Sequence, residues 1–461
     1  MSNEPSSPTS KAPNSWRIGT LVYSTGGLAA LFFWLLWGDF AWQLKDRAVF
    51  PVAQLMLKAM SASDFIVGAL IGSFPAAIGM ILGPIISVKS DRHRGRWGRR
   101  IPFLFISAPF AAVSMMLLGV TPKLADALHG ALGVHAPSLI VLNISIFSLL
   151  WTVFEIASVV TNSVFGGLVN DTVPHEVIGR FFGLFRGVGL LAGILFNYSI
   201  MGHAESHYIE IMGGIGVLYG VGFMMMCLRV KEGVYPPPEA KVEGVHPMME
   251  IKTYVRECYG HSFYLWLFGG YSLAMIAPNP VNVFSVFYAK SIGMGLDTYG
   301  KCLVVTYVIS LSVAYFLGSL ADRFHPLRLS IYSILLYAVA MLWGGFFATS
   351  VNTFMVAFVL HGVLSGTFFT ATASLGQRLF PKSKFAQFSS AMGMTTGVGF
   401  MILPTLLGGL LDYSGHVYRY TFVCGGVLGL VGAACLWVAY GKFIKLGGPE
   451  NYVPPIVEPS S

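Results

Sequence analysis

The stretch Lys89-Ser90-Asp91-Arg92-His93-Arg94-Gly95-Arg96-Trp97-Gly98-Arg99-Arg100-Ile101-Pro102-Phe103 decides how the rest of the chain is read. Six of its residues are Lys or Arg, and only Asp91 is acidic. Long apolar runs flank it, Phe65 to Ile86 before and Ile101 to Val120 after. A short loop this basic between two membrane-length segments is expected to face the cytoplasm, where Lys and Arg are retained.

Composition supports a membrane protein. The chain has 461 residues, of which 55% are hydrophobic and 11% charged, against about 25% charged in soluble domains. Its 29 Lys and Arg exceed its 21 Asp and Glu. They sit in short loops between apolar runs and form no single polar face, which argues against nucleic-acid binding. The five cysteines (227, 258, 302, 424, 435) are scattered, with no spacing that suggests zinc or redox chemistry. No Walker lysine follows a glycine run, and no catalytic constellation appears. The reading is therefore a non-enzyme without a cofactor or metal site.

A membrane helix needs about 20 mostly apolar residues. Twelve segments qualify, near 20–56, 62–88, 100–120, 138–168, 174–200, 208–228, 262–289, 297–320, 328–348, 352–376, 386–411 and 419–441. The first is long and interrupted by Lys45, Asp46, Arg47 and Pro51, and is expected to be one kinked helix. Most Lys and Arg lie on one side if both termini are cytoplasmic. The first segment is expected to serve as an uncleaved signal. The expected division is a disordered tail (1–17), a six-helix bundle (18–228), a cytoplasmic linker (229–261), a second bundle (262–441) and a cytoplasmic tail (442–461). Asp322-Arg323, in ADRFHPLR, repeats Asp91-Arg92 half a chain later. Two related halves around a midplane site are a plan known among secondary transporters.

Two acids stand where charge is costly. Asp39 (LLWGDFAWQ) and Glu155 (LLWTVFEIASVVTN) fall near the middle of the first and fourth segments. A carboxylate there costs roughly 2.5–3.5 kcal/mol on insertion scales, so it is expected to face a wet cavity or a buried partner. Helical spacing puts Trp151, Thr152, Ser158 and Asn162 on the Glu155 face, and Gln43 on the Asp39 face with Trp42 at its edge. Polar groups beside indole rings suit a sugar, although both tryptophans fit plain packing equally well. Arg180 lies almost two turns inside the fifth segment, as a third site charge or a snorkelling residue. Asn279 and Asn282, beside Pro280, are substrate ligands or satisfy carbonyls freed by the proline. His361 is read as hydrogen-bonded to a neighbour.

The order Asp91-Arg92 followed by Arg96-Trp97-Gly98-Arg99-Arg100 resembles the loop between the second and third helices of major facilitator transporters. RWGRRIPF is most similar to the glycoside–pentoside–hexuronide cation symporters and the related sucrose transporters. The resemblance implies the all-α major facilitator fold, twelve transmembrane helices in two pseudo-symmetric halves. It also implies a gate built on Asp91, Arg92, Arg96, Gly98, Arg99 and Arg100, with Asp322 and Arg323 as counterparts. The basic residues would pair with Asp171 or Glu176, and Asp91 would reach the second half near Gln387. Melibiose permeases of that family hold their sugar with an acid on the first helix, an acid on the fourth and an arginine on the fifth. Asp39, Glu155 and Arg180 match these positions. The family's sodium-binding acids on the second helix correspond to Gly79 and Gly83, so a proton is the expected coupling ion, carried by Glu155 or Asp39.

The resulting expectation is a monomeric, multi-pass transporter of the plasma (cell inner) membrane that moves a sugar or glycoside with a proton. Alternatives are transport of a drug or lysolipid on the same fold, uncoupled sugar passage, and a non-transporting sensor. The substrate-binding set is Asp39, Gln43, Trp151, Glu155, Asn162, Arg180, Asn279 and Asn282.

Overall fold

The computed structural model describes residues 15–237 and 247–455, and for 247–251 and 314–323 the backbone alone. A hairpin of β1 (Ser15–Ile18) and β2 (Leu21–Ser24) precedes the first helix. Ser15, Trp16 and Arg17, expected in the tail over 1–17, instead pair in β1, and the rest of that tail lies outside the described residues. The first bundle contains α1 (Thr25–Ala59), α2 (Asp64–Arg92), α3 (Ile101–Gly119), α4 (Thr121–Leu132), α5 (Leu139–Thr172), α6 (Ile178–Ser199) and α7 (Tyr208–Arg229). Then come α8 (Pro247–Tyr259), α9 (Ser262–Ile276), α10 (Asn279–Ser291), α11 (Leu296–Arg323), α12 (Pro326–Phe347), α13 (Val351–Thr372), α14 (Phe385–Tyr413) and α15 (Tyr420–Lys445).

Local chemistry sets these boundaries. Ser24, Ser63 and Ser138 accept backbone N–H groups at the starts of α1, α2 and α5, and Ser350 with Thr353 forms a capping box on α13. α1 runs unbroken through Lys45-Asp46-Arg47, as expected, with Pro51 inside it. Residues Gly68–Ser73 of α2 form a π turn. Eleven helices among the described residues are long and apolar enough to span a membrane. The expected twelfth, over 262–289, is instead two shorter helices, α9 and α10, separated at Ala277-Pro278. Pro278 and Pro280 each remove a backbone donor just where the helix is broken. Besides the β1–β2 hairpin, the amphipathic α4 and the helix α8 inside the expected linker went unforeseen.

α3 packs on α5 and α7, and α1 on α6 and α7, while α12 packs on α13 and α15 and α9 on α15. The two bundles meet where α2 lies against α14 and α6 against α11. The end carrying the Lys89–Phe103 loop is called here the basic end, and its opposite the far end.

Candidate substrate cavity and gates

A cavity of about 480 Å³ lies between the bundles, within the ~300–1,000 Å³ range of small-molecule sites. α1 supplies Asp46, Arg47 and Gln54, α6 supplies Asn197, and the second bundle supplies Asn282, Ser285, Tyr299, Tyr307 and His361. Arg47 donates to the Tyr307 hydroxyl at 3.1 Å across the seam. His361 is buried. Its Nε2 donates to Asn282 Oδ1 at 3.0 Å, and Nδ1 meets the Tyr337 hydroxyl at 3.1 Å. Asn282 is thus held on the wall by a histidine with a hydrogen-bond partner at each ring nitrogen.

The expected site residues divide. Asp39 is fully buried in α1 and does not line the cavity, and neither carboxylate oxygen has a hydrogen-bond partner among the described residues. Gln43 lies one turn on, with α6 close against it, since a methyl at Gly189 would meet the Gln43 amide carbon at 3.1 Å. Glu155 is 3% exposed, and its Oε1 is also without a partner. Arg180 is exposed and makes no ion pair among the described residues, so it does not meet Glu155 as a third site charge in this conformation. Asn162 is exposed and Asn279 half-buried. Trp151 is fully enclosed by Phe50, Phe147 and Phe154 rather than open to a sugar. Its Nε1 donates to the Leu70 carbonyl at 2.8 Å. Leu70 sits in the π turn, where the wider ladder leaves carbonyls in need of donors.

The buried cation near Glu155 is Lys45, one of the charges that interrupt the first apolar segment and one to which the sequence reading gave no site role. Lys45 is 1% exposed. Its Nζ lies 2.7 Å from Asp46 Oδ1 and 3.3 Å from Ser158 Oγ, one turn from Glu155. The faces of Trp42, Phe154 and Tyr219 surround the ammonium at 5.4–5.9 Å. The missed signal is the apolar run Ala48-Val49 after Arg47, which carries the helix onward past the charges.

At the basic end, Arg99 grips Asp171 with two bonds, Nε to Oδ2 at 2.9 Å and Nη2 to Oδ1 at 2.6 Å. This bonding raises the Arg99 guanidinium further above its ordinary value. Arg100 adds Nε to Asp171 Oδ2 at 3.1 Å, pairs with Asp91 and donates to Ser90 Oγ at 2.6 Å. Asp171 is thus the partner of the loop arginines, and Glu176 is not. Arg92 and Arg96 are exposed. Asp91 stays within its own half and does not reach α14, where the Gln387 amide instead donates to Glu257 at 2.8 Å. The side chains of Asp322 and Arg323 lie outside the described residues. Sequence reasoning missed Glu232, whose carboxylate accepts from the backbone N–H groups of Arg99, Arg100 and Ile101 at 3.0, 2.8 and 2.7 Å. It caps α3, which has no side-chain cap of its own. Gly98 (φ +98°) permits this, because a Cβ there would lie 2.5 Å from the Glu232 carboxyl carbon.

The far end holds the two bundles together. Asp64, fully buried, receives Lys58 Nζ at 2.6 Å, His416 Nδ1 at 2.6 Å and the Tyr418 hydroxyl at 3.2 Å. Asp412 accepts from the backbone N–H groups of Asp64 and Phe65, both at 2.8 Å. Thr405 donates to Ser73 Oγ at 2.7 Å, and Lys290 pairs with Glu205. Ligand-type atoms of Asp64, Asp412 and His416 cluster within 4.8 Å, yet Lys58 already neutralises Asp64, so the group reads as a seal. Among the described residues, the polar contacts between bundles all lie at this end or on the cavity wall. The structure is closed at the far end.

The chain matches the family described as MFS/sugar transport protein over residues 36–381. It belongs to that family, within the major facilitator superfamily. Solved major facilitator proteins share the fold. A bacterial homolog of the human lysosomal transporter Spinster, in an inward-facing conformation, aligns over 93% of this chain and 98% of its own at TM-score 0.63 and 14% identity. The xylose transporter XylE from E. coli, inward open, aligns over 89% and 96% at TM-score 0.61 and 13% identity. The nucleoside transporter NupG aligns over 89% and 99% at TM-score 0.57 and 12% identity. A curated relative, an uncharacterized MFS-type transporter of Mycobacterium tuberculosis, is 26% identical over 195 residues, 40% of this chain and 33% of that protein. The chain thus matches about a third of that relative's length. It is thus an integral, multi-pass membrane protein of a transporter family, not of an enzyme family.

Proposed function

We propose that this transporter moves a sugar or glycoside together with a proton, by alternating access across the plasma membrane. The observation that carries this reading is a cavity rich in amide and hydroxyl groups backed by buried acids and one buried lysine. Sugar hydroxyls need such donors and acceptors, while intramembrane acids mark substrate or proton paths. The reading divides the chain into bundles 18–228 and 262–441 joined by the linker 229–261, with the basic end in the cytoplasm and the protein working as a monomer. The structure then represents the inward-open state. Glu155 carries the proton, Asp39 with Gln43 accepts sugar hydroxyls as the bundles rock, and Asn279 and Asn282 contribute from the second bundle. Arg180 and Asn162 line the path on the cytoplasmic side, and the Asp91 loop acts as the gate.

The test is uptake by reconstituted vesicles from a panel of labelled mono- and disaccharides, with and without an imposed pH gradient. Accumulation that follows the pH gradient and collapses with a protonophore is the expected result. Stimulation by sodium at fixed pH would replace the proton in this scheme. A methyl at Gly79 would meet nothing within 4 Å, so neither an oxygen ligand nor a crowded wall occupies that position.

A further inference from the structure

Two carboxylates and one ammonium share a single small region of the first bundle. Asp46 lies on the cavity wall with its side chain 32% exposed. Glu155 is sealed behind it on α5. Lys45 stands between them, bonded to Asp46 Oδ1 at 2.7 Å and to Ser158 Oγ at 3.3 Å on the Glu155 face of α5. α7 contributes the Tyr219 hydroxyl, which meets Thr161 Oγ1 at 3.2 Å. α1 also carries Asp39, almost two turns before Lys45. Arg47, on the same wall, is turned to the Tyr307 hydroxyl and pairs with no carboxylate among the described residues, so Lys45 is the one cation bonded here, and in a region of low dielectric it cannot stabilise Asp46 and Glu155 as anions at once.

We propose that Lys45 links cavity occupancy to protonation of Glu155 by pairing with Asp46 when Glu155 is protonated and with Glu155 when it is not. The inference rests on the proton-coupled reading above and adds a positioning residue to it. In the conformation described here Lys45 is held by Asp46, and Glu155 Oε1 has no partner, the arrangement of the protonated state. Asp46 is then fixed on the wall with Oδ2 open to a cargo hydroxyl. Loss of the proton from Glu155 to water draws the ammonium toward α5. The aromatic box of Trp42, Phe154 and Tyr219 keeps it desolvated throughout. Asp46 loses its counter-ion and its fixed position, and cargo binding weakens. Cargo and proton therefore bind together, as symport requires.

The test uses full-length protein in lipid and needs no cargo, so it is separable from the uptake assays. Infrared titration follows the protonated-carboxyl band that disappears in Glu155→Gln. Asp46→Asn is expected to move the midpoint of that band by about one pH unit, a tenfold change in the protonation constant. Lys45→Met is expected to move it the opposite way. In the Lys45→Met background, which in the double variant removes both charges and spares the fold an unpaired ion, Asp46→Asn is expected to have no further effect. An unmoved midpoint in Asp46→Asn overturns the proposal. An Asp46→Asn shift of the same size without Lys45 also overturns it, because the acids would then interact directly.

Discussion

At the scale of single residues, burial sorts the roles. Glu155→Gln is expected to abolish uphill accumulation and keep exchange of bound cargo, because an amide mimics only the protonated acid. Comparing counterflow with gradient-driven uptake in the same vesicles checks this, and an unchanged accumulation ratio would remove Glu155 from coupling. Trp151→Phe keeps the ring and deletes the donor to Leu70. Leaving that carbonyl unpaired is expected to cost about 1–3 kcal/mol of stability, read by thermal unfolding in detergent, with cargo affinity unchanged. A large loss of affinity would return Trp151 to the substrate. The intramembrane position of Asp39 and Glu155 was legible because a lone acid in an apolar run has few explanations. Lys45 was not, since Lys45-Asp46-Arg47 also fits a helix end emerging from the membrane. The helix was expected to run on past Lys45, but only the packing of α1 on α6 and α7 shows that the ammonium is enclosed.

At the scale of elements, hydrophobic runs located the long helices, and prolines marked the break between α9 and α10. Contacts between distant segments were not legible. Nothing in Glu232 itself indicates that it will cap a helix beginning at Ile101, because the two lie far apart in sequence and meet only once α3 and α7 pack. Glu232→Ala is expected to cost about 1–2 kcal/mol by freeing the first N–H groups of α3, with Glu232→Gln recovering part of it. A melting temperature unchanged in both variants would show that the cap carries no stability. The Arg99–Asp171 clamp was closer to legible, since a basic loop and an acid at the neighbouring helix end have few other partners.

For the whole molecule, the asymmetry between the two ends governs behaviour. Asp91→Asn removes one of the two acids that hold Arg100 and is expected to slow transport while leaving binding nearly intact. Loss of binding with unchanged turnover would deny the loop its gating role. At the far end, α2 and α14 touch backbone to backbone: a Cβ at Gly68 would lie 2.2 Å from the Pro404 carbonyl oxygen, and one at Gly408 2.2 Å from that of Asp64. Gly408→Val is expected to hold that end open, so spin labels across it move apart while a pair across the basic end closes. Identical distance distributions in the variant would show that the seam does not limit closure.

That seam separates the machine from its load. Main-chain surfaces have no rotamers to adjust, so the bundles come to rest at one fixed stop whatever lies in the cavity. Side chains around His361 and Asn282 are then free to be exchanged for a different cargo without altering the stroke that carries it.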